Sequence, residues 1–317
     1  MSAAVAPRSS SPSPSGAAAV AEASGKGPGF TALALLCTVL WASAQLGVKV
    51  GLQSAPPFYL MGMRFLAAGL ILQPVCWAIG SPWPRSWAGL GRLVVLGLLN
   101  NTVYLGLTAI GLQTVSAGLN CVLTGMNPLA LALGAYLIFG ERTGRTEVVG
   151  LVGALAGVVW VMAGRIGADN QPLGIALTVL ANCVMVAGNL AYKSWQKESG
   201  LVRSHSVQLL IGGVTLLAMA AMFEDASTIV WGPNLLMAEA FLVVGVSFGA
   251  MLSWLYLLSH GSASQAGSFL FLVPLFGLLQ SAYLLGEKLS TSDLFGVAVT
   301  TLSVYAVQKF AKPQTAS

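Results

Sequence analysis

Charged side chains are scarce in this sequence. Asp, Glu, Lys and Arg make up 8% of its 317 residues, whereas soluble globular domains carry roughly 25%. Hydrophobic residues make up 56%. The longest polar stretch is the first 29 residues, which leaves no room for a nucleotide-binding or kinase domain. The composition therefore predicts a membrane protein and argues against a pump driven by ATP within this chain.

Residues that bind metals or carry out catalysis are also few. The two histidines fall in or near loops, and the four cysteines lie inside apolar runs without the spacing of a metal site. Paired carboxylates and nucleophile motifs are missing from the apolar segments. We therefore expect no disulfide, no metal, no cofactor and no enzymatic activity.

Apolar segments of about 20 residues, the length that crosses a bilayer, follow a tail rich in Ala, Ser, Pro and Gly. Residues 1–29 are predicted to be a disordered cytoplasmic tail, and 311–317 a short C-terminal tail. The fold class predicted is an all-α membrane protein with ten transmembrane helices. We number them spans 1 to 10: Phe30–Val50, Phe58–Ile79, Leu90–Leu112, Ala117–Phe139, Thr146–Gly164, Pro172–Tyr192, Val207–Met222, Leu235–Leu258, Ala266–Leu285 and Leu294–Val307.

The distribution of basic residues predicts the orientation of the chain. Counted loop by loop, eleven Lys and Arg residues fall on one side of the membrane, and three, Lys49, Arg165 and Lys288, on the other. Because cytoplasmic loops carry the excess, both termini are predicted to be cytoplasmic. Basic residues divided in this way need no nucleic-acid partner, and only Arg64 remains inside a span.

The second half of the chain repeats polar and special residues of the first. The matching pairs, at an offset of 146 residues, are Ser116 and Ser262, Pro128 and Pro274, Glu141 and Glu287, and Gly150 and Gly296. Because each unit has an odd number of spans, the second unit would enter the membrane upside down. We predict two inverted five-helix repeats, residues 30–164 and 165–310, as secondary transporters use to exchange inward-open and outward-open states.

These motifs resemble those of a known family. Leu40-Trp41-Ala42-Ser43 through Lys49, Pro56-Pro57 with Arg64-Phe65, and Pro128 through Gly140-Glu141-Arg142 are similar to the EamA-type branch of the drug/metabolite transporter superfamily. The resemblance covers about residues 30 to 310. It implies a ten-helix carrier of the inner membrane that exports an amino acid or another small metabolite. The second repeat lacks counterparts of Trp41 and Arg64, so the halves are expected to contribute unequally to the site.

Polar side chains recur at helical spacing in four spans. Because amides that face lipid cost free energy, the four stripes are predicted to enclose one aqueous, substrate-binding cavity. The alternative is that these residues only join helices, through bonds worth about 0.6 kcal/mol each. The predicted residues are Trp41, Gln45 and Lys49 in span 1, Asn101 and Tyr104 in span 3, Asn120, Thr124 and Asn127 in span 4, and Asn182 and Asn189 in span 6.

Two prolines interrupt spans 4 and 9 at matching places. Pro128 and Pro274 each remove a helical hydrogen bond, and paired kinks would give paired hinges. The alternative is a static bend in each helix.

Arg64 is the one cation predicted inside a span, where insertion at the bilayer centre costs about 2.5 to 3.5 kcal/mol. No carboxylate lies in the middle of a predicted span, and Glu239 lies close to the start of span 8. The buried excess of positive charge favours an anionic or zwitterionic substrate, so Arg64 joins the predicted substrate-binding residues. Proton coupling is not expected unless it uses a peripheral acid such as Glu239. The alternative for Arg64 and Lys49 is snorkelling to the outer headgroups.

We therefore predict a secondary transporter that exports a small polar metabolite, an amino acid or an amino-carboxylate derivative, by alternating access. Its partners would be that small molecule and the lipid bilayer, with the protein a monomer or a homodimer. The alternative is an efflux carrier for amphipathic drugs that uses aromatic residues such as Trp254 and Tyr256. An ion channel is not indicated, because the sequence has no repeated pore loop or charged ring.

The predicted topology can be checked with fused reporters. A fluorescent protein that matures only in the cytoplasm should fluoresce when it follows Ser317, and alkaline phosphatase at the same place should be inactive. Alkaline phosphatase inserted after Ala226, in a predicted outer loop, is the positive control. An active phosphatase after Ser317 would contradict the orientation.

Overall fold

A computed structural model describes residues 28–125, 127, 130, 134, 137, 145–165, 170–195, 200–260, 269 and 272–310. Two segments are π-helical: π1 (Leu98–Val103) joins α3 to α4, and π2 (Phe241–Ala250) joins α9 to α10. The α-helices are α1 (Pro28–Gly51), α2 (Pro57–Ala78), α3 (Trp87–Gly97), α4 (Tyr104–Thr114), α5 (Ala117–Thr124), α6 (Arg145–Arg165), α7 (Pro172–Trp195), α8 (Leu201–Phe223), α9 (Pro233–Ala240), α10 (Met251–His260), α11 (Val273–Leu285) and α12 (Thr291–Phe310).

The helices begin and end where the sequence supplies the local chemistry. Pro57 lies in the first turn of α2, where its missing N–H breaks no hydrogen bond. The hydroxyls of Ser86 and Ser116 cap α3 and α5 by accepting a backbone N–H from the first turn. Helix α11 ends at Gly286, whose φ of 67° favours glycine.

The chain is a multi-pass helical membrane protein. Six of its helical stretches are long and apolar enough to cross a membrane, in predicted spans 1, 2, 3, 6, 7 and 8, and Val273–Leu285 is a shorter apolar helix in span 9. Spans 4 and 9 are described only in part, so the count of ten remains a prediction. Residues 1–27, Pro128 and residues 311–317 lie outside the described residues.

Two helices begin before the predicted spans. Residues 28 and 29, predicted to lie in the tail, are helical and belong to α1. Helix α8 begins six residues before the predicted start of span 7, because Arg203 is not in a solvated loop. Its guanidinium donates to Gln73 Oε1 at 2.6 Å and to the carbonyl oxygen of Ser81 at 3.3 Å, and these contacts fix the start of α8 against the end of α2.

The main helix contacts join the two halves of the chain. Helix α2 packs along α8, α6 along α12, α4 against α7, and α5 against α11. Helix α1 packs against the rod formed by α9, π2 and α10. In each pair, one helix comes from the first predicted repeat and the other from the second.

Small residues let α2 and α8 approach closely. A Cβ added to Gly213 would lie 2.5 Å from the backbone nitrogen of Leu66, and one added to Gly62 would lie 2.8 Å from a leucine side chain of α8. Phe65 and Leu216 belong to the buried core beside this contact. Because neither lipid nor water fits between the two helices here, van der Waals packing holds them together.

Gly213→Ala should lower the free energy of unfolding by about 1 to 3 kcal/mol, because the new methyl group presses on the backbone of α2. The matched control is Gly91→Ala in α3, where an added Cβ meets nothing within 4 Å. That control should be neutral or slightly stabilising. Thermal unfolding in detergent measures both, and a Gly213→Ala variant as stable as the wild type would contradict the close contact.

Candidate functional site

Several polar side-chain atoms are buried without a hydrogen-bond partner. Each such atom costs about 1 to 3 kcal/mol unless water or a bound molecule supplies its partner. Asn120 is the extreme case, because its side chain is fully buried and neither end of its amide is bonded. The atoms are Arg64 Nε, Asn100 Oδ1, Asn120 Oδ1 and Nδ2, Asn127 Oδ1, Thr178 Oγ1, His205 Nε2 and Glu239 Oε1.

Amide side chains of spans 4 and 6 meet in the interior. Asn127, seven residues after Asn120 and on the same helical face, donates from Nδ2 to Asn182 Oδ1 at 3.1 Å. The sulfur of Met185 lies 3.5 Å from the same nitrogen. The bond to Asn182 joins two helices, whereas the unpartnered atoms of Asn120 and Asn127 are available to a solute. Asn127 and Asn182 therefore come together, whereas Asn120 lies two helical turns before Asn127, and its role stays a prediction.

The π1 segment brings an unpredicted residue into the interior. Asn100 donates to Gln208 Oε1 of α8 at 3.4 Å, while its own Oδ1 stays unpartnered. Asn101, the predicted residue, is buried against Gly212. Tyr104 follows π1 directly and is partly buried. Because π turns are frequent at functional sites, this segment is a natural part of the candidate site.

Arg64 is buried and electrostatically linked to the second half of the chain. Only 6% of its surface is exposed, and the carboxylate of Glu239 in α9 lies close enough to act on it electrostatically. His205, which was expected near a solvated loop, lies in α8 and also responds to the charge of Arg64. A side chain this buried does not reach the lipid headgroups, so the structure does not support snorkelling by Arg64.

Span 1 contributes an aromatic contact and polar groups. Trp41 packs edge-on against Trp254 of α10, with ring centroids 5.5 Å apart. Gln45, one turn later, is buried. Ser43 donates to Gln280 Oε1 of α11 at 3.0 Å, across 237 residues of sequence. Helical spacing within one span gives no signal for such a distant pair, so Ser43 and Gln280 were not predicted.

The other predicted residues are less closely tied to this region. Thr124 and Asn189 are partly buried. Pro274 is the second residue of α11, a position where its missing N–H breaks no helical bond, and it contacts Gly125 at the end of α5. Its hinge role therefore stays a prediction. Within the described residues, no three His, Cys, Asp or Glu side chains are grouped as a metal site needs.

Lys49 lies at the predicted outer end of α1 and already has partners. Its Nζ donates to the carbonyl oxygens of Leu112 and Val115, the latter at 2.8 Å, at the end of α4. An ammonium group has three protons, and the main chain of α4 uses two of them. The structure therefore supports a structural role for Lys49 as a cap of α4 more than the predicted contact with substrate.

Two glutamates from the second half cap helices of the first. Glu287 accepts two backbone N–H groups from the first turn of α5, at 2.8 and 3.2 Å. Glu224 accepts two from the first turn of α2, at 2.8 and 2.9 Å. A helix N-terminus favours negative charge. The two halves are therefore tied together at the predicted outer end of the bundle.

Known proteins with similar sequences are transporters. The profile of the EamA-like transporter family matches residues 30–163 and 172–308. Relatives include the uncharacterized transporter sll0355 of Synechocystis sp. (28% identical, 85% of this chain and 87% of that protein), the uncharacterized transporter YvbV of Bacillus subtilis (28%, 90% and 94%) and the uncharacterized inner membrane transporter YedA of Escherichia coli (27%, 88% and 90%). A solved crystal structure with 17% identity has the same fold, with a TM-score of 0.67 over 89% of this chain and 98% of that one.

Lys49→Met should lower the free energy of unfolding by about 1 to 3 kcal/mol, because two carbonyl oxygens lose their donor, and should leave the affinity for the transported solute unchanged. Lys49→Arg keeps a donor and is the matched control. Thermal unfolding and transport assays measure the two effects. A Lys49→Met variant with wild-type stability and weakened affinity would instead make Lys49 a substrate ligand.

Proposed function

The chain belongs to the EamA-like transporter family, and from that premise we propose that it exports a small polar metabolite by alternating access. The proposed substrate is an amino acid or an amino-carboxylate derivative. The proposed location is the cell inner membrane, with both termini in the cytoplasm.

The observation that carries the proposal is the set of buried polar atoms without partners. Asn120 and Asn100 come from the first half of the chain, and Thr178 comes from the second. In hydrocarbon such atoms have no water to bond, so they call for a hydrated region or a bound solute. A solute with several hydrogen-bonding groups satisfies them on arrival and exposes them again on leaving, as a carrier requires.

The contacts between the halves support alternating access. Because the main helix pairs each combine one helix from either half, a rearrangement of the halves can open the polar region without unfolding either one. The ties through Glu224 and Glu287 at the predicted outer end are polar, as are the backbone bonds from Gln171 to Thr114 and from Val230 to Ser54 at the same end. We propose that these ties break in the state that opens to the outside.

The charge of the interior supports the proposed substrate class. Arg64 is buried and its Nε lacks a hydrogen-bond partner, so an anionic group of the substrate would stabilise it. The alternative, efflux of amphipathic drugs, would use Trp254 and Tyr256, which are two residues apart and so lie on different sides of α10. Trp254 packs against Trp41, and Tyr256 is half exposed on the surface of the bundle. These residues do not form one aromatic surface.

Counterflow in proteoliposomes tests the proposal. Vesicles that contain the purified protein are loaded with one unlabelled amino acid at a time, and uptake of the labelled form is followed, with ethidium as an amphipathic competitor. Exchange of at least one amino acid, insensitive to ethidium, is the expected result. Ethidium transport without any amino-acid exchange would favour the drug-efflux alternative.

Asn120→Leu should reduce this exchange about tenfold or more, because the substrate loses hydrogen bonds worth roughly 1 to 3 kcal/mol. Its stability should be kept or raised, because an unpartnered buried amide is replaced by an apolar group of similar size. Asn234→Leu, at the exposed start of α9, is the matched control. Wild-type exchange by Asn120→Leu would remove Asn120 from the site.

A further inference from the structure

Arg64 and Glu239, one from each half and of opposite charge, lack full hydrogen bonding. Arg64 is buried in α2, and Glu239 is partly buried in α9, the helix that α2 contacts; the two charges are close enough to act on each other. Arg64 Nε and Glu239 Oε1 each lack a partner, so these two atoms are not bonded to each other. We propose that the pair is a head-group site for a zwitterion, in which Arg64 binds the carboxylate of the substrate and Glu239 binds its ammonium group. This inference rests on the proposed transport function and makes Glu239 a specificity-determining residue.

Glu239 differs in its surroundings from two other glutamates of the chain. Glu224 and Glu287 accept backbone N–H groups with both carboxylate oxygens, at the starts of helices. Glu239 lies in the last turn of α9, which continues directly into π2. The backbone N–H groups of a continuous helix are already bonded within it. Glu239 Oε1 therefore needs a donor from another source, and an ammonium group supplies up to three.

Arg64 offers the complementary group. The ring of its neighbour Phe65 lies 5.1 Å from the Cζ atom of Arg64, so it covers one face of the guanidinium. The five N–H donors of a guanidinium point outward in its plane, and a carboxylate binds two of them in parallel. Tyr104, a neutral group of the first half near Arg64, gives this region a further hydrogen-bonding hydroxyl.

The two π-helical segments flank these residues. Segment π1 ends directly before Tyr104, and π2 begins two residues after Glu239. They occur in spans 3 and 8, which correspond to each other in the predicted repeat. Each half therefore brings one π segment to the region, and such segments are frequent where a helix carries a functional side chain.

Neither charge is duplicated in the other half of the sequence. At offsets of 144 to 146 residues, Arg64 corresponds to Gln208–Leu210 and Glu239 to Leu93–Val95, all uncharged. Among the described residues of this region, Arg64 therefore forms a cationic pole and Glu239 an anionic pole. A simple carboxylate is repelled by Glu239, and a simple amine is repelled by Arg64. A zwitterion satisfies both poles without adding net charge to a region of low dielectric constant.

The test compares solutes that differ only in their charged groups. Alanine, leucine and phenylalanine are each assayed beside the acid that lacks the amino group and the amine that lacks the carboxylate, by counterflow and by thermal stabilisation of the full-length protein. The wild type should prefer a transported amino acid over both analogues by about tenfold to a hundredfold, the value of one charge-assisted hydrogen bond. The Glu239→Gln variant should no longer discriminate against the acid. The Arg64→Gln variant should no longer discriminate against the amine.

A double variant separates this role from that of a structural ion pair. If Arg64 and Glu239 only neutralise each other, replacing both by glutamine should restore the exchange that each single variant loses. A head-group site predicts that the double variant stays about tenfold or more below the wild type. Leu236→Ala, on the same helix and 59% exposed, is the control that should behave as the wild type. Where a glutamine variant fails to fold, Glu239→Asp or Arg64→Lys replaces it, because each keeps the charge but shifts its position. Glu239→Asp should weaken the discrimination against the acid, and Arg64→Lys should weaken the discrimination against the amine.

The outcomes distinguish this inference from the proposed function. Recovery of exchange in the double variant, or unchanged selectivity in Glu239→Gln or Glu239→Asp, would overturn the head-group site and leave transport intact. A wild type that carries another solute but exchanges none of the three amino acids would overturn the head-group site as well, and would count against the substrate class. A wild type that transports nothing would refute the proposed function itself.

Discussion

Inside hydrocarbon, a polar group can bond only to the protein, to trapped water or to a bound solute, and this constraint divides the polar residues of the chain into two sets. At the predicted outer end, Lys49, Glu224 and Glu287 satisfy the ends of other helices. Deeper in the bundle, Asn120 and Arg64 keep atoms without partners. The first set contributes to stability. The second set adds to the cost of folding until water or a solute bonds to it, as expected of a binding site.

The same constraint explains which contacts join the halves. Along the helices the contact depends on glycine and close van der Waals approach, in the pairs of α2 with α8, α4 with α7 and α5 with α11. At the predicted outer end, Glu224 and Glu287 add bonds to backbone N–H groups of α2 and α5, and water can replace such bonds wherever it reaches them. The apolar contacts and the polar end contacts therefore act on the same helix pairs, so a movement between the halves has to involve both.

Much of the fold could be predicted from the sequence, because hydrophobic length and Pro or Gly breakers are local signals. The amides of spans 4 and 6 were predicted for the same reason, since α-helical spacing places Asn120, Asn127 and Asn182 on inner faces. In span 3 that spacing predicts Asn101, which is buried, but it does not predict Asn100, which lies in π1 and donates to Gln208 of α8. It also gives no information on distant partners, such as Ser43 with Gln280 or Lys49 with the end of α4. These contacts depend on how helices pack, which no single span encodes.

Residues that recur in both halves have other contacts than residues that occur in one half alone. Among the recurring residues, Glu287 caps α5, Pro274 contacts the end of α5, and Gly296 lies against the backbone of α6. Each holds one helix against another. Trp41, Arg64 and Glu239 do not recur. Trp41 packs against Trp254 of α10, whereas Arg64 and Glu239 belong to α2 and α9, which contact each other. Under the proposed function, the repeated residues hold the scaffold that both conformations share, and the single residues provide the different groups that an asymmetric solute needs on its two sides.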